Sequence, residues 1–319
     1  MLKLVTDLKR DYSQTEVFMK KKVMSGMQIF ILFLLFSITL PLNAGAADRT
    51  VIDISDEVRR SLIVCAEGSA PSATDKSSLE KWRTQALKEA KTAVLAKART
   101  FLNEKKKQNR DFDYRLTGTA IRILNKKEMA QWSKGNRGIW IEAEVPYTPK
   151  TFPADDCSQP TLERHSGEML DVRLWTDPGL LRDGKAVTVY FRSNRDFYGR
   201  IIRIGSRGEV EQLLPNIYRQ TSLFKAGVVY RIPDEGDRFK LNRTQSSGSE
   251  RWVIYATPVS MGQINMKIIA GGRYQYRGKL KSFERSVRCG LCQPDGGVVE
   301  FYEAVWNMQA REVDAPKTK

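Results

Sequence analysis

The four cysteines are the residues whose chemistry this sequence constrains most. They are Cys65, Cys157, Cys289 and Cys292, and three pairings between them are possible. Cys65 and Cys157 bracket the first half of the chain that follows the N-terminal segment, whereas the other two form the tetrapeptide Cys-Gly-Leu-Cys. We predict one structural disulfide bond between Cys65 and Cys157 and a local one between Cys289 and Cys292, as suits an oxidising compartment.

The Cys-Gly-Leu-Cys sequence has two other possible roles, in redox chemistry and in zinc binding. A redox pair needs its first cysteine at a helix N-terminus, where the helix dipole stabilises the thiolate. Here Gly290, Pro294 and Gly296 predict a loop instead. A Cys₄ zinc site needs a second closely spaced pair, and the other two cysteines stand far apart. We predict no metal site and keep a thiol-redox protein using Cys289 and Cys292 as an alternative.

The chain is poor in the residues that catalytic sites use. His165 is its one histidine, and it stands beside a proline-rich segment with no evident partner for a nucleophilic triad. The adjacent carboxylates of Asp155 and Asp156 point apart, whereas paired acid–base chemistry needs two that converge. The sequence contains no Gly-rich phosphate loop with its lysine. We therefore predict that the protein is not an enzyme and has no catalytic residue, no cofactor and no cofactor-binding residue.

The N-terminal segment predicts export. Three lysines at 20–22 precede the apolar run Ile29–Leu42, and small residues follow it, which are the three parts of a secretory signal. The run has 14 residues, whereas a membrane-spanning helix needs about 20. We predict that residues 1–46 are a signal peptide with an N-terminal extension, cleaved after Ala46, with Ala47 as the alternative.

The expected destination is the periplasm or the exterior of a bacterial cell. No cysteine directly follows the predicted cleavage site, so lipidation is not expected. No apolar run after Leu42 approaches spanning length, so we expect no transmembrane helix in the mature chain. An uncleaved anchor is the alternative, and Met19 or Met24 is an alternative start.

Basic and aromatic residues are the candidates for binding. Cleavage would leave 47 Lys and Arg against 34 Asp and Glu, a formal charge of +13. Such an excess is typical of nucleic-acid binding, but an exported protein would meet anionic envelope components or envelope proteins instead. The candidates are the cluster Lys105, Lys106 and Lys107, together with Tyr274 and Tyr276, whose rings stand near arginines and could stack on sugars. The alternatives are a solvated basic surface and ordinary sheet aromatics.

Hydrophobic periodicity predicts a first, small α+β domain at 47–148. A capping box at Ser77 and Glu80 opens a helix over Ser78–Lys107, whose apolar residues recur every three or four positions. Strands are expected at 61–66, 112–116, 121–123 and 139–145, a loop at 68–72 and a short helix at 126–134. The fold class is therefore α+β, with one helix packed on a small antiparallel sheet.

A Pro-rich linker is predicted at 149–167, followed by a β-rich domain at 168–310 and a disordered tail at 311–319. Short alternating strands with turn signals between them predict a sandwich or barrel-like fold. Strands are expected at 170–174, 187–191, 198–204, 238–242, 252–257 and 298–306, and a loop at 271–278.

A spaced series of residues in the second domain carries a family resemblance. It comprises Gly184–Val189, Ser193, Asp196, Tyr198, Gly208, Leu213–Asn216, Ala226-Gly227, Ile232-Pro233, Phe239 and Leu241. Over residues 168–260 this series resembles the domain-of-unknown-function 4384 family of bacterial proteins. The resemblance implies no catalytic residues, and it implies a module that often accompanies a separate enzymatic domain.

The first domain has a resemblance of its own. The Ala-rich stretch Ala86–Ala98 and the run Gly138–Val145 are similar to the small envelope domain of an outer-membrane lipoprotein family and of the N-terminal part of flagellar assembly protein T. We infer an exported cell-envelope protein that acts as a non-catalytic binding or assembly component. A periplasmic regulatory module for a separately encoded enzyme is the alternative, and the sequence leaves the oligomeric state open.

Overall fold

The computed structural model describes residues 57–71, 76–116, 121–133, 136–150, 168–176, 186–241, 250–292 and 296–308. The predicted signal segment, most of the proline-rich linker and the predicted tail lie outside these residues, as do Cys157, His165 and the Asp155-Asp156 pair. No helix among the described residues is both long and apolar enough to cross a membrane.

The described residues form an α+β fold in which antiparallel strands predominate, as the sequence predicts. The helices are α1, Lys76–Gln108, and α2, Leu280–Arg288. The strands are β1 Glu57–Pro71, β2 Tyr114–Leu116, β3 Arg122–Ser133, β4 Asn136–Pro149, β5 Val172–Thr176, β6 Val189–Ser193, β7 Phe197–Ile204, β8 Val210–Leu214, β9 Leu223–Phe224, β10 Tyr230–Ile232, β11 Glu250–Thr257, β12 Lys267–Ile268, β13 Tyr274–Tyr276 and β14 Val299–Met308.

These strands make a large sheet of eleven strands and a small sheet of three within the described residues. The large sheet runs in the order β12-β13-β8-β7-β11-β14-β1-β4-β2, with β3 paired to β4 and β9 paired to β7. The small sheet runs in the order β10-β6-β5. Every pairing is antiparallel.

Helix α1 covers β1 and β4 with the apolar stripe that the sequence predicts. Trp82, Ala86, Ala90, Val94 and Ala98 are buried and belong to one hydrophobic cluster with the inward side chains of both strands. The indole N–H of Trp82 donates a hydrogen bond of 3.1 Å to the carbonyl oxygen of a β1 residue. Small alanines in the stripe let the helix approach the sheet closely.

The small sheet covers the neighbouring strands on the same face of the large sheet, which produces the predicted sandwich. Phe191 of β6 and Ile232 of β10 are buried in one cluster with Ile254 of β11 and with Tyr302 and Ala304 of β14. Inward and outward side chains alternate along β6, as expected for a strand with one buried face.

The opposite face of the large sheet is covered at its centre by α2. Phe283 and Val287 of this helix are buried against Ile63 of β1, Tyr255 of β11 and Val299 of β14. Both faces of β1 and β14 are therefore buried, and their polar side chains on the α2 side need partners inside the protein.

One sheet contains strands from both of the segments for which the sequence predicts separate domains. Strand β14 pairs with β1 from the first segment and with β11 from the second, so one sheet runs through both. Residues 50–319 form one compact unit. The C-terminal strand returns to the N-terminal one, and this pairing of distant segments leaves no local signal in the sequence.

Four local predictions are wrong. Residues 126–133 lie in β3, because pairing with β4 overrides the preference of a Lys- and Glu-rich segment for helix. The expected loop at 68–72 is strand as far as Pro71. The expected loop at 271–278 contains β13, and the expected strand at 238–242 is not formed in the described residues 238–241.

Candidate functional site

The described residues enclose a groove of about 950 Å³ between β1, β4, β5 and β14. Its lining includes five arginines and three acidic residues, an excess of two positive charges. The charged lining residues are Arg59, Arg60, Arg122, Arg173, Arg288, Glu144, Asp171 and Glu303, and Tyr147, Tyr302, Pro146 and Pro149 add apolar surface. The groove thus combines the two residue classes that the sequence analysis singles out for binding.

Arg60 organises the end of the groove that adjoins the small sheet. Its guanidinium donates hydrogen bonds to the carbonyl oxygen of Leu170 at 2.7 Å and to the Asp171 carboxylate at 2.6 Å. It also stands 4.9 Å from the centre of the Tyr302 ring. Burial opposes the charge on Arg60, but the Asp171 carboxylate contributes to a pKa that is raised above the ordinary value.

A buried ion network forms the floor on the α2 side. Arg288 extends from the end of α2 and donates hydrogen bonds to Glu144 at 2.9 Å and to Glu303. The Ser61 hydroxyl donates a further hydrogen bond of 2.9 Å to Glu144. The Arg288 guanidinium stands 4.8 Å from the centre of the Phe301 ring.

Burial and charge act against each other in this network. Burial favours the neutral form of Arg288, yet the carboxylates of Glu144 and Glu303 keep its pKa above the ordinary value. Burial raises the pKa of Glu303, and the positive charges of Arg288 and Arg59 oppose that rise. Arg288 thus faces two carboxylates inside the protein, so its removal leaves buried negative charge without full compensation.

The rim of the groove carries its accessible positive charge. The side chains of Arg59, Arg122 and Arg173 are 54%, 41% and 37% exposed. Arg59 lies 3.3 Å from the Glu303 carboxylate, Arg122 lies 3.5 Å from that of Glu144, and Arg173 lies 3.8 Å from that of Asp171. Arg59 also donates two short hydrogen bonds, of 2.6 and 2.8 Å, to the exposed Glu57 carboxylate. A substantial part of each of the three arginine side chains faces solvent.

The predicted disulfide pairing is wrong. Cys65 of β1 is bonded to Cys292, with a Cα–Cα distance of 5.9 Å, and Cys289 is a free thiol. Glu142 of β4 holds the segment after α2 next to Cys65. Its carboxylate accepts backbone hydrogen bonds from Gly290 at 3.0 Å, from Leu291 at 3.1 Å and from Cys292 at 3.4 Å.

The chemistry of Cys289 is that of a protected thiol. It follows the C-terminus of α2, the end whose dipole disfavours a thiolate. Its side chain lies 3.7 Å from the carbonyl oxygen of Leu124. Burial, with the nearby charge of Glu142, raises its pKa above the ordinary value.

One group of potential metal ligands exists among the described residues. The side-chain donor atoms of Cys65, Glu142 and Cys292 lie within 4.8 Å of one another. The two sulfur atoms are bonded to each other, and a metal requires free thiolates. In this oxidised form the group is therefore a disulfide beside a carboxylate.

The predicted Lys105–Lys107 cluster does not form one binding surface. Lys105 turns inward and lies 3.9 Å from the Glu300 carboxylate, with its side chain 16% exposed. Lys106 lies 2.9 Å from the Asp113 carboxylate, and the same carboxylate accepts a hydrogen bond of 2.7 Å from Lys150. Lys107 is exposed. A helix turns by about 100° per residue, so adjacent lysines face different surroundings.

The two candidate tyrosines lie on β13, close to one edge of the large sheet. Tyr276 packs edge-on against Phe283 of α2, with ring centres 5.3 Å apart. Tyr274 is opposite Gln212 of β8. The structure places neither residue in the groove.

Comparison with known proteins bears on the β-rich part of the chain. Residues 181–260 match the domain of unknown function DUF4384. The match includes strands β6 to β11, which contribute most of the core of the sandwich. No curated protein and no solved structure is significantly similar to the chain. The similarity of the first segment to envelope domains stays a prediction.

Proposed function

We propose that this protein is an exported component of the bacterial cell envelope, and that it binds or assembles with an anionic envelope partner without catalysing a reaction. The observation that carries the proposal is the groove, whose three rim arginines are 54%, 41% and 37% exposed. Aromatic and proline side chains between them supply apolar contact area. Arginine forks match carboxylate and phosphate groups in bidentate fashion.

The disulfide bond supports the export half of the proposal. It joins residues 227 positions apart, and such structural bonds persist in oxidising compartments such as the periplasm. The predicted signal segment at 1–46 is an independent argument for the same compartment. The test is N-terminal sequencing of protein from a periplasmic or secreted fraction, with Ala47 or Asp48 expected first and an intact N-terminus in the cytoplasm as the contrary result.

The geometry of the cysteines favours this proposal over the thiol-redox alternative. Cys289 and Cys292 are not bonded to each other, and Cys292 is engaged with Cys65. A redox dithiol needs a thiolate of lowered pKa, whereas burial raises the pKa of Cys289. A Cys289→Ser variant should therefore keep its association with the envelope.

Crosslinked envelope pull-down tests the binding half of the proposal. The triple variant Arg59→Gln, Arg122→Gln and Arg173→Gln should recover less envelope material than the wild type. Recovery should also fall with salt, because the Debye length shrinks from about 10 Å at 0.1 M to about 3 Å at 1 M. The matched control is Arg207→Gln, whose side chain is 90% exposed in a turn away from the groove. Equal recovery with the triple variant would refute the assignment of the groove.

A further inference from the structure

The outward face of the small sheet carries an unusual set of side chains. Residues of β5 and β6 alternate between buried and partly exposed positions. In β10, Arg231 is partly exposed, whereas Tyr230 stacks inward on Phe191. The partly exposed set is Arg173 and Trp175 of β5, Tyr190 and Arg192 of β6, and Arg231 of β10. Three arginines and two aromatic rings therefore share one face, and we call this set the Arg-aromatic face.

The strand register brings two of these arginines into direct opposition. Arg173 is paired with Arg192 across β5 and β6. Like charges directly opposite each other destabilise a sheet. Arg173 has Asp171 at 3.8 Å as its ion-pair partner, whereas Arg192 has no ion pair with the described residues, and its buried Nε has no hydrogen-bond partner there.

The aromatic rings lie one step further along the same strands. Trp175 is opposite Tyr190, and their rings stack with centres 5.9 Å apart and an interplanar angle of 16°. Arg231 of β10 is opposite Tyr190 on the other side of β6, and its side chain is 42% exposed. Residues two apart on a strand are separated by about 6.6 Å, so β5 and β6 each present one arginine and one aromatic ring at that spacing.

We propose that the Arg-aromatic face binds an acidic polysaccharide whose sugar residues carry carboxylate groups. The apolar face of a sugar ring packs on Trp175 or Tyr190, since aromatic side chains offer a broad apolar surface with a polar tip. The carboxylates accept hydrogen bonds from Arg173 and Arg192 and neutralise the opposed charges. The choice of a glycan over nucleic acid rests on the export part of the proposed function, while the site shares only Arg173 with the lining of the groove.

Titration of the purified protein with a hexamer of galacturonic acid tests the proposal, with neutral maltohexaose as the matched sugar. We expect saturable binding of the acidic hexamer, no binding of the neutral one, and weaker binding at about 0.5 M than at about 0.05 M NaCl. Arg192→Gln should weaken binding about tenfold through the loss of one charge-assisted contact. Trp175→Ala should weaken it by about the same factor through the loss of an aromatic stacking surface. Arg207→Gln in the exposed turn should change binding little.

The fold of the variants is checked by urea unfolding. If Arg192 serves a ligand, Arg192→Gln relieves repulsion with Arg173 and does not lower the unfolding midpoint, whereas a purely structural role predicts a lower midpoint. Absence of hexamer binding by the wild type, wild-type affinity in Arg192→Gln, or equal binding of polyglutamate overturns the proposal. These in vitro results do not depend on where the protein resides, so they are separable from the fractionation test of export.

Discussion

The sulfur atoms of Cys65 and Cys292 form a bond between β1 and the segment that leads from α2 to β14. Strand β14 then pairs with β1 itself, with Ser61 opposite Phe301. The covalent link and the strand pairing therefore join the same two distant parts of the chain. Together they fix the centre of the large sheet, where the groove and the buried ion network lie.

Loss of this disulfide bond should destabilise the protein strongly. The double substitution Cys65→Ser and Cys292→Ser should lower the free energy of unfolding by up to about 5 kcal/mol in the chain-entropy model, because the closed loop is long. Urea unfolding under oxidising conditions measures the loss. The control Cys289→Ser removes a thiol outside the bond and should change stability by less than about 1 kcal/mol. Peptide mapping that joins Cys65 to Cys157 would contradict the pairing.

Close packing of α1 on β1 depends on a glycine. A Cβ atom at Gly68 would lie 2.1 Å from the carbonyl oxygen of Ala86 and 2.4 Å from the amide nitrogen of Ala90. Because both are backbone atoms, Gly68→Ala must displace the helix, and we expect a loss of about 1–3 kcal/mol in the free energy of unfolding.

Thermal or urea unfolding checks this prediction by comparing the stability of Gly68→Ala with that of the control variant Gly236→Ala. A Cβ at Gly236 would meet nothing within 4 Å, so that control should keep or slightly gain stability through reduced freedom of the unfolded chain. Equal stability of the two variants would show that the helix tolerates a wider separation from β1.

The sequence predicts those elements whose signals are local. The apolar stripe of α1 and the alternation in β4, β5 and β6 are visible within a dozen residues, because each element repeats its pattern along its own length. The small helix α2 was not predicted, although Leu280, Phe283 and Val287 have helical spacing. It is nine residues long and follows a segment for which the sequence predicts a loop, so its apolar spacing covers too few turns to indicate a helix.

The candidate site could not be predicted because it depends on which strands become neighbours. Glu142 and Glu144 alternate with apolar residues along β4, the pattern of a strand with one solvent-facing side. The structure buries that side too, since α2 covers it. Their partners include Arg288 and Gly290, which lie 144 and 148 positions further along the chain, and sequence spacing alone does not reveal such pairs.

The buried ion network should be sensitive to loss of its cation. Arg288→Met leaves Glu144 and Glu303 buried without their main partner, and we expect about 3–5 kcal/mol of destabilisation. Denaturant unfolding at neutral pH measures it. Combining the substitution with Glu144→Gln and Glu303→Gln should restore part of the loss, since no uncompensated carboxylate remains. A single variant as stable as the wild type would mean that water reaches the carboxylates.

The reactivity of Cys289 should follow its raised pKa. The reacting species in alkylation is the thiolate, and an ordinary cysteine is half ionised near pH 8.5. Burial and the charge of Glu142 raise the pKa of Cys289, so less thiolate is present in the folded protein at any given pH. The rate of iodoacetamide labelling should therefore reach half its maximum at a higher pH in the folded protein than in urea, with mass spectrometry separating Cys289 from Cys157. A lower midpoint in the folded protein would indicate a stabilised thiolate and would favour the redox alternative over the binding role.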